Sequence, residues 1–237
     1  MKKSEHPRSA VLFLHGSDRN TARFCAGLAL KADVTVAAPD LRVAPEAPWP
    51  AALEDALSAY NHLCTNADDL GVNPERIVPG GDGAGALLAL ALVRNEYETT
   101  GEKPAGLLLF YPFLAPEGEN RGESWKRYGT EFGLDAEAVT AFVDDWIADA
   151  EDRKNVSPFR AGTEGVPPTL LVVAGCDVLR DQGLAFAAKL RQANVPVRIR
   201  RYNGAIHGFL TRPGLDVFFR QGVEDAASFL GGLPGGK

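Results

Sequence analysis

The stretch best suited to chemistry is a glycine-rich turn within residues 76–85, which read RIVPGGDGAG. The apolar pair Ile77–Val78 precedes four glycines, and a long run of helix-forming apolar residues extends from Ala84 to Val93. This order predicts a strand, a tight turn and a helix, because glycine accepts backbone dihedral angles that a Cβ atom would block. Such a turn directs backbone N–H groups and the positive end of the helix at one point. The sequence therefore predicts a place that can hold an anion.

Apolar runs and helical patterns alternate along most of the chain. Continuous apolar runs predict parallel strands that are covered on both faces. About six such strands alternating with helices indicate an α/β fold with a doubly wound, mostly parallel sheet. The expected strands are 10–14, 34–38, the run before the glycine-rich turn, 106–111, 169–174 and 197–202, and the expected helices are about 21–32, 51–63, the run after the turn, 179–193 and 215–230.

In a sheet of this kind, ligands bind beyond the carboxyl ends of the strands. The loops expected at those ends contain the unusual residues of the sequence. They are 15–18, 39–50, 80–85, 175–181 and 204–208.

Residues 114–165 interrupt the alternation of strands and helices. The segment is polar and rich in glycine, with one amphipathic helix expected near 135–150. No linker or internal repeat divides the chain. We therefore expect one domain over residues 1–237, with 114–165 inserted as a small lid.

The charge balance excludes several classes of partner. The formal net charge is −6, which argues against nucleic acid or an anionic membrane surface, because both need a basic face. No apolar run approaches the ~18 residues of a membrane span, and the N-terminus lacks a secretory signal pattern. We expect a cytoplasmic protein.

The cysteines Cys25, Cys64 and Cys176 are odd in number and far apart, which favours buried thiols over a disulfide or a metal site. No cofactor or metal is expected.

Five stretches of the chain, taken together, resemble the hormone-sensitive-lipase family of α/β-hydrolases, which includes bacterial acetyl esterases and carboxylesterases. The match covers about residues 11–210 and implies the α/β-hydrolase fold. The matching stretches are His15–Gly16 for the HGGG oxyanion loop, LRVAPE at 41–46 with the following PAALED for the YRLAPE run, Gly81–Gly85 for the GDSAG nucleophile elbow, AGCDVLRD at 174–181 for the loop of the triad acid, and His207–Gly208–Phe209 for the HGF of the catalytic base.

The resemblance implies acyl transfer by a serine, a histidine and an acid, with backbone N–H groups holding the oxyanion. Carried over to this chain, His207 is the base and Asp177 its partner. The N–H groups of Gly16, Ser17 and Ala84 would form the oxyanion hole. The order of elbow, acid and histidine is the one expected for this fold.

The chain departs from the family pattern at the nucleophile. Gly83 occupies the position of the serine and has no side chain. The oxyanion loop contains Ser17 and Asp18 in place of glycines, and Asp18 is either a solvated loop acid or an active-site acid. Asp82 and His15 are interpreted as local structural residues, with Asp82 bonded to nearby backbone.

Only nine residues precede the first strand, so we expect an open pocket, or one covered by a partner chain in a homodimer.

Three functions remain open at this point. The chain is an ordinary small-acyl esterase inactivated at Gly83, a diverged enzyme that uses His207 and Asp177 for other chemistry, or a non-catalytic protein that binds a small acyl or carbonyl ligand. Two further interpretations are disfavoured. The turn also fits a dinucleotide fingerprint, but the next strand ends in Tyr111–Pro112 and not in an acid. Cys176 adjoins Asp177, but the matching family position usually points away from the site.

Overall fold

The computed structural model describes residues 7–15 and 21–234 of the 237-residue chain. Six strands form one sheet in the order β2-β1-β3-β4-β5-β6, and every neighbouring pair is parallel. The doubly wound parallel sheet predicted from the sequence is confirmed. The strands are β1 Arg8–His15, β2 Thr35–Ala37, β3 Val72–Asp82, β4 Leu107–Phe110, β5 Thr169–Cys176 and β6 Val197–Ile206.

Helices cover both faces of this sheet. The expected helices are present within one or two residues at most ends, and short helices occur between them. Their bounds are α1 Ala22–Ala32, α2 Ala51–Thr65, α3 Ala67–Leu70, α4 Ala84–Thr100, α5 Gly122–Arg127, α6 Ala136–Trp146, α7 Ala150–Val156, α8 Pro158–Ala161, α9 Arg180–Gln192 and α10 Asp216–Gly231. Among the described residues, no helix is both long enough and apolar enough to cross a bilayer.

The central strands divide their side chains between two hydrophobic cores. In β1, Leu12 and Leu14 belong to the core beneath α2, α4 and α9, whereas Val11 and Phe13 belong to the core beneath α1 and α10. Successive side chains of a strand point to opposite faces. The continuous apolar run in the sequence is therefore buried from both sides, as expected of a parallel strand.

The segment 114–165 contains more helix than the sequence predicted. The amphipathic helix expected near 135–150 is present as α6, but α5, α7 and α8 were missed. Helices of four to seven residues are too short to show an apolar period or to be stable alone. Contacts with the rest of the chain hold them: Ser124 Oγ donates to the Val178 carbonyl at 3.0 Å, and Lys189 Nζ donates to the Pro158 carbonyl at 2.9 Å.

Close backbone packing explains two glycines of the turn between β3 and α4. A Cβ atom on Gly85 would lie 2.0 Å from the carbonyl oxygen of Leu14, and one on Gly81 would lie 2.3 Å from the carbonyl oxygen of Gly85. Neither neighbour is a flexible side chain that could move aside. The start of α4 thus rests directly on the end of β1, and this contact fixes where the turn lies at the carboxyl edge of the sheet.

We predict that Gly85→Ala lowers the free energy of unfolding by about 3 kcal/mol, at the upper end of overpacking costs, because the backbone of β1 must move. Urea denaturation measures the effect. Gly231→Ala is the matched control, since a Cβ atom there meets nothing within 4 Å among the residues that the structure describes and alanine is the better helix former. A Gly85→Ala protein as stable as the wild type would contradict the packing described here.

Candidate active site

A histidine and a carboxylate from two neighbouring strand ends form a hydrogen-bonded pair. Asp177 directly follows β5 and His207 directly follows β6. Nδ1 of His207 lies 2.9 Å from Oδ2 of Asp177, and Oδ1 of Asp177 accepts a hydrogen bond of 2.8 Å from the Leu179 N–H. The Asp177 side chain is completely buried, whereas 17% of the His207 side chain is exposed. When the imidazole donates from Nδ1 to the Asp177 carboxylate, its Nε2 is left to accept a proton.

That second nitrogen faces Gly83. The glycine has φ 53° and ψ −120°, a conformation that residues with a side chain adopt only with strain. A Cβ atom placed on it would lie 3.4 Å from Nε2 of His207 and 3.7 Å from Cε1 of the same ring, and apart from its two chain neighbours it would meet no other atom of residues 7–15 and 21–234 within 4 Å. The base therefore points at the place where a side chain at position 83 would stand.

Hydrogen bonds from three directions fix the backbone of Gly83. Its N–H donates to the Phe110 carbonyl at 3.1 Å, and its carbonyl accepts from the N–H groups of Ala86 at 3.2 Å and Phe113 at 3.0 Å. Ala84 is the first residue of α4, so its N–H has no acceptor within the helix. The oxyanion role expected of Ala84 stays a prediction, with which this position at the start of α4 is compatible. The other predicted oxyanion donors, Gly16 and Ser17, and the candidate acid Asp18 lie outside the described residues.

A second histidine–carboxylate pair lies beside the first, and sequence reasoning missed it. Nδ1 of His15 lies 2.7 Å from Oδ1 of Asp82, and the Tyr111 hydroxyl donates to Oδ2 of Asp82 at 2.8 Å. The prediction that Asp82 bonds to local backbone is therefore wrong. The strand register is the signal that could have found the pair, because His15 and Asp82 are direct neighbours at the ends of β1 and β3.

Tyr111 connects the two pairs. Its ring meets the His207 ring edge-on, with centroids 4.8 Å apart, while its hydroxyl bonds to Asp82. Burial raises the pKa of Tyr111 well above its usual value, and the adjacent charge of Asp82 raises it further. The phenol therefore stays protonated and donates to the carboxylate. The backbone of Tyr111 has φ 34°, which is unusual for a residue with a bulky side chain. Because Tyr111 directly follows β4, its ring lies between the two histidine–carboxylate pairs and contacts both.

The two pairs open into a cavity of about 460 Å³. This size lies within the range of small-molecule sites. Its polar lining residues include His15, Asp82, Tyr111 and His207 at the strand ends, with Thr211 and Arg212 after β6. Apolar residues of α6 and of the loop before it also form a wall of the cavity. The residues of that wall are Gly133, Leu134, Ala138, Val139 and Phe142.

None of the three cysteines is a lining residue of this cavity. All three are free and partly buried, so the expectation of buried thiols is only partly met. Burial raises the pKa of Cys25 to about 11, which keeps its thiol protonated at neutral pH. Among residues 7–15 and 21–234, no group of three or more His, Cys, Asp or Glu side chains is arranged to hold a metal ion.

Comparisons with known proteins agree with this geometry. A protein-family model described as alpha/beta hydrolase fold matches residues 12–211. An ethyl acetate hydrolase of Pseudomonas putida is 32% identical over 211 residues, which cover 85% of this chain and 66% of that protein. Lipase 2 of Moraxella sp. (strain TA144) is 30% identical over 238 residues, which cover 85% of this chain and 54% of that protein. The chain thus spans between half and two thirds of the length of these two relatives.

Solved structures show the same architecture. The crystal structure of EstE1, a thermophilic and thermostable carboxylesterase cloned from a metagenomic library, superposes with a TM-score of 0.89 at 30% identity and covers 98% of this chain and 82% of that one. The family match spans the sheet, the glycine-rich turn and the pair formed by Asp177 and His207. On this evidence the chain belongs to the α/β-hydrolase fold family, in the group related to hormone-sensitive lipase.

Proposed function

We propose that this protein is a diverged carboxylesterase-like enzyme that cleaves a small acyl substrate with water in place of a serine nucleophile. One observation carries the proposal: a Cβ atom on Gly83 would lie 3.4 Å from Nε2 of His207, while Nδ1 of the same ring is held by the buried Asp177. A general base must lie within hydrogen-bond reach of the proton that it abstracts. A water molecule above Gly83 meets that requirement without a side chain at position 83.

The reaction then follows in two proton transfers. Nε2 of His207 takes a proton from the water as the water oxygen bonds to the substrate carbonyl carbon. The negative charge that develops on the carbonyl oxygen is stabilised by the N–H of Ala84 and the start of α4. When the carbon–oxygen bond to the alcohol breaks, His207 returns the proton to the leaving oxygen. The products are a carboxylic acid and an alcohol, and Asp177 stabilises the imidazolium between the two transfers.

The loss of rate expected from a glycine in place of the serine at position 83 predicts slow turnover and not a complete absence of turnover. Removing a triad nucleophile costs about 10⁶ in kcat, but oxyanion stabilisation and binding alone still supply about 10³–10⁴ over water. The His207–Asp177 pair remains assembled around Gly83, which supports a catalytic role. The sequence change at Ser17 and Asp18 as well as at Gly83 favours divergence over one isolated substitution.

Two other functions are tested together with this one. The first is an ordinary small-acyl serine esterase inactivated at position 83. The space around Gly83 favours it specifically, because a Cβ atom there would make only ordinary contacts with the described part of the chain. The second is a binding protein without turnover, for which the cavity of about 460 Å³ is the supporting observation.

We predict that His207→Gln lowers hydrolysis of 4-nitrophenyl acetate by the native Gly83 chain about 10²–10⁴-fold, the usual contribution of a general base. Steady-state kinetics measure the effect. His62→Gln is the matched control, because His62 is exposed on α2 and bonds to Asn66. Equal rates for His207→Gln and the native chain would contradict the proposal, and absence of turnover in the native chain would favour the binding protein.

Gly83→Ser tests the inactivated esterase. Its hydroxyl would point at Nε2 of His207, so we predict a gain in kcat/KM for 4-nitrophenyl acetate of about 10²-fold or more and covalent labelling by a fluorophosphonate. Gly83→Ala is the matched control, because it carries the same strain of about 1–3 kcal/mol from the positive φ but no nucleophile. We expect Gly83→Ala to be slower than the native chain, since its methyl group displaces the attacking water. A serine variant no faster than the alanine variant would contradict the inferred geometry.

A further inference from the structure

One arginine in the wall of the active-site cavity has no carboxylate partner in the described part of the chain. Arg212 is the only Lys or Arg among the described residues that line this cavity. Its Nη2 donates to the Gly133 carbonyl at 2.6 Å, and within residues 7–15 and 21–234 it forms no ion pair. By contrast, Arg180 at the start of α9 bonds to Asp181 at 2.7 Å. The positive charge of Arg212 is therefore open to a ligand of the cavity.

The backbone around Arg212 fixes where its guanidinium lies. The N–H groups of Thr211 and Arg212 donate to the Gly208 carbonyl at 3.0 and 3.1 Å, and this turn folds the chain back towards His207. A Cβ atom on Gly208 would lie 3.3 Å from Nε of Arg212, and one on Gly133 would lie 3.4 Å from its Cζ and Nη1. Both glycines have a positive φ, 75° and 88°, which disfavours a side chain at either position. The guanidinium is thus held between the residue after the base and the loop before α6.

The remaining N–H groups of this guanidinium are suited to a carboxylate. A guanidinium carries several N–H donors in one plane, and the bond to the Gly133 carbonyl uses only one of them. Arginine binds a carboxylate through two parallel hydrogen bonds, and such charge-assisted bonds are stronger than neutral ones. Among the described lining residues the one carboxylate is Asp82, and its oxygens are already bonded to His15 and Tyr111. Arg212 therefore favours an anionic group that belongs to a ligand.

The direction of the proposed reaction decides which part of the substrate meets Arg212. His207 returns a proton to the leaving oxygen, so the alcohol part of the ester lies on the His207 side of the cavity. The carbonyl oxygen faces the N–H of Ala84 at the start of α4. Arg212 packs against Gly208, the residue after His207, and it therefore lies on the side of the alcohol part.

We infer that this protein prefers esters whose alcohol part carries a carboxylate, that is, O-acyl derivatives of hydroxy acids, and that Arg212 binds this carboxylate. The inference rests on the proposed function, because the direction of cleavage comes from that reaction. A purely structural Arg212 would only fasten the loop before α6 through the Gly133 carbonyl. It would then give no difference in affinity between a charged ligand and a neutral ligand of the same shape.

Binding of uncleaved amides tests this difference without any turnover. The probes are N-acetylglycine, N-acetyl-β-alanine and 4-acetamidobutanoate, each compared with its neutral terminal carboxamide and titrated into the native Gly83 chain by calorimetry. The series varies the span between the acetyl carbonyl and the carboxylate. We expect the best carboxylate to bind about 5- to 20-fold more tightly than its neutral partner, between the values for exposed ion pairs and for hydrogen bonds to charged groups. The preference should decrease at high salt, because Arg212 is exposed.

Two variants and one control locate the charge that the probes detect. Arg212→Gln keeps an N–H donor but removes the charge, so it should abolish the preference for the carboxylate. Arg212→Lys should retain part of the preference, because it keeps the charge without the planar fork. Arg191→Gln is the matched control, since Arg191 is exposed on α9 and is not a lining residue of the cavity. The same loss of charge there should leave the preference in place.

A second arm moves the carboxylate to the acyl side and then measures cleavage. N-Methylsuccinamate carries its charge beyond the carbonyl carbon and should bind no better than its neutral diamide. In the Gly83→Ser background, kcat/KM for the acetate ester that corresponds to the best amide should exceed that for its neutral carboxamide analogue, and Arg212→Gln should remove this excess.

Three results would overturn the inference: equal binding of charged and neutral probes, a preference that Arg212→Gln leaves intact, or a preference for the carboxylate on the acyl side. If the charged amides bind as expected while neither the native chain nor Gly83→Ser cleaves an ester, the carboxylate site stands and the proposed reaction fails.

Discussion

The contact between the start of α4 and the end of β1 is the constraint on which the site depends. Gly85 lies so close to the Leu14 carbonyl that a single Cβ atom would fall 2.0 Å from its oxygen. This contact, together with the hydrogen bonds at the Gly83 N–H and carbonyl, holds Gly83 at a positive φ opposite His207. Backbone packing, and not the residue at position 83, therefore positions the turn. Backbone packing can therefore hold the geometry of a nucleophile elbow around a glycine.

Hydrogen bonds to two buried carboxylates, Asp177 and Asp82, hold the other side chains of the site in place. Two carboxylates lie at the carboxyl edge of the sheet, and burying either one without partners would be costly. Asp177 is satisfied by the Leu179 N–H and by His207, and Asp82 by the Tyr111 hydroxyl and by His15. Because Tyr111 touches both Asp82 and the His207 ring, it braces the imidazole that the Asp177 carboxylate orients. A half-satisfied network of this kind is worse than an apolar core, so the loss of one member should disturb the others.

Much of this could be predicted from the sequence, for identifiable reasons. Continuous apolar runs such as 10–14 gave the strands, because strands buried on both faces have no polar positions. The resemblance of the motifs at 81–85, 174–181 and 207–209 gave Gly83, Asp177 and His207. The short helices α5, α7 and α8 were missed because contacts with other elements stabilise them, not their own periodicity. The pair formed by His15 and Asp82 was missed because it depends on the register between β1 and β3, which no local pattern encodes.

The central claim is that the imidazole of His207, held by the Asp177 carboxylate, faces the space above Gly83, where a water molecule can bind. The most direct measurement is a crystal structure of the native chain at a resolution that defines ordered water. We predict His207 bonded through Nδ1 to Asp177, and a water molecule about 3 Å from Nε2 above the Cα atom of Gly83. An imidazole turned away from Gly83, or an Asp177 bonded elsewhere, would contradict it.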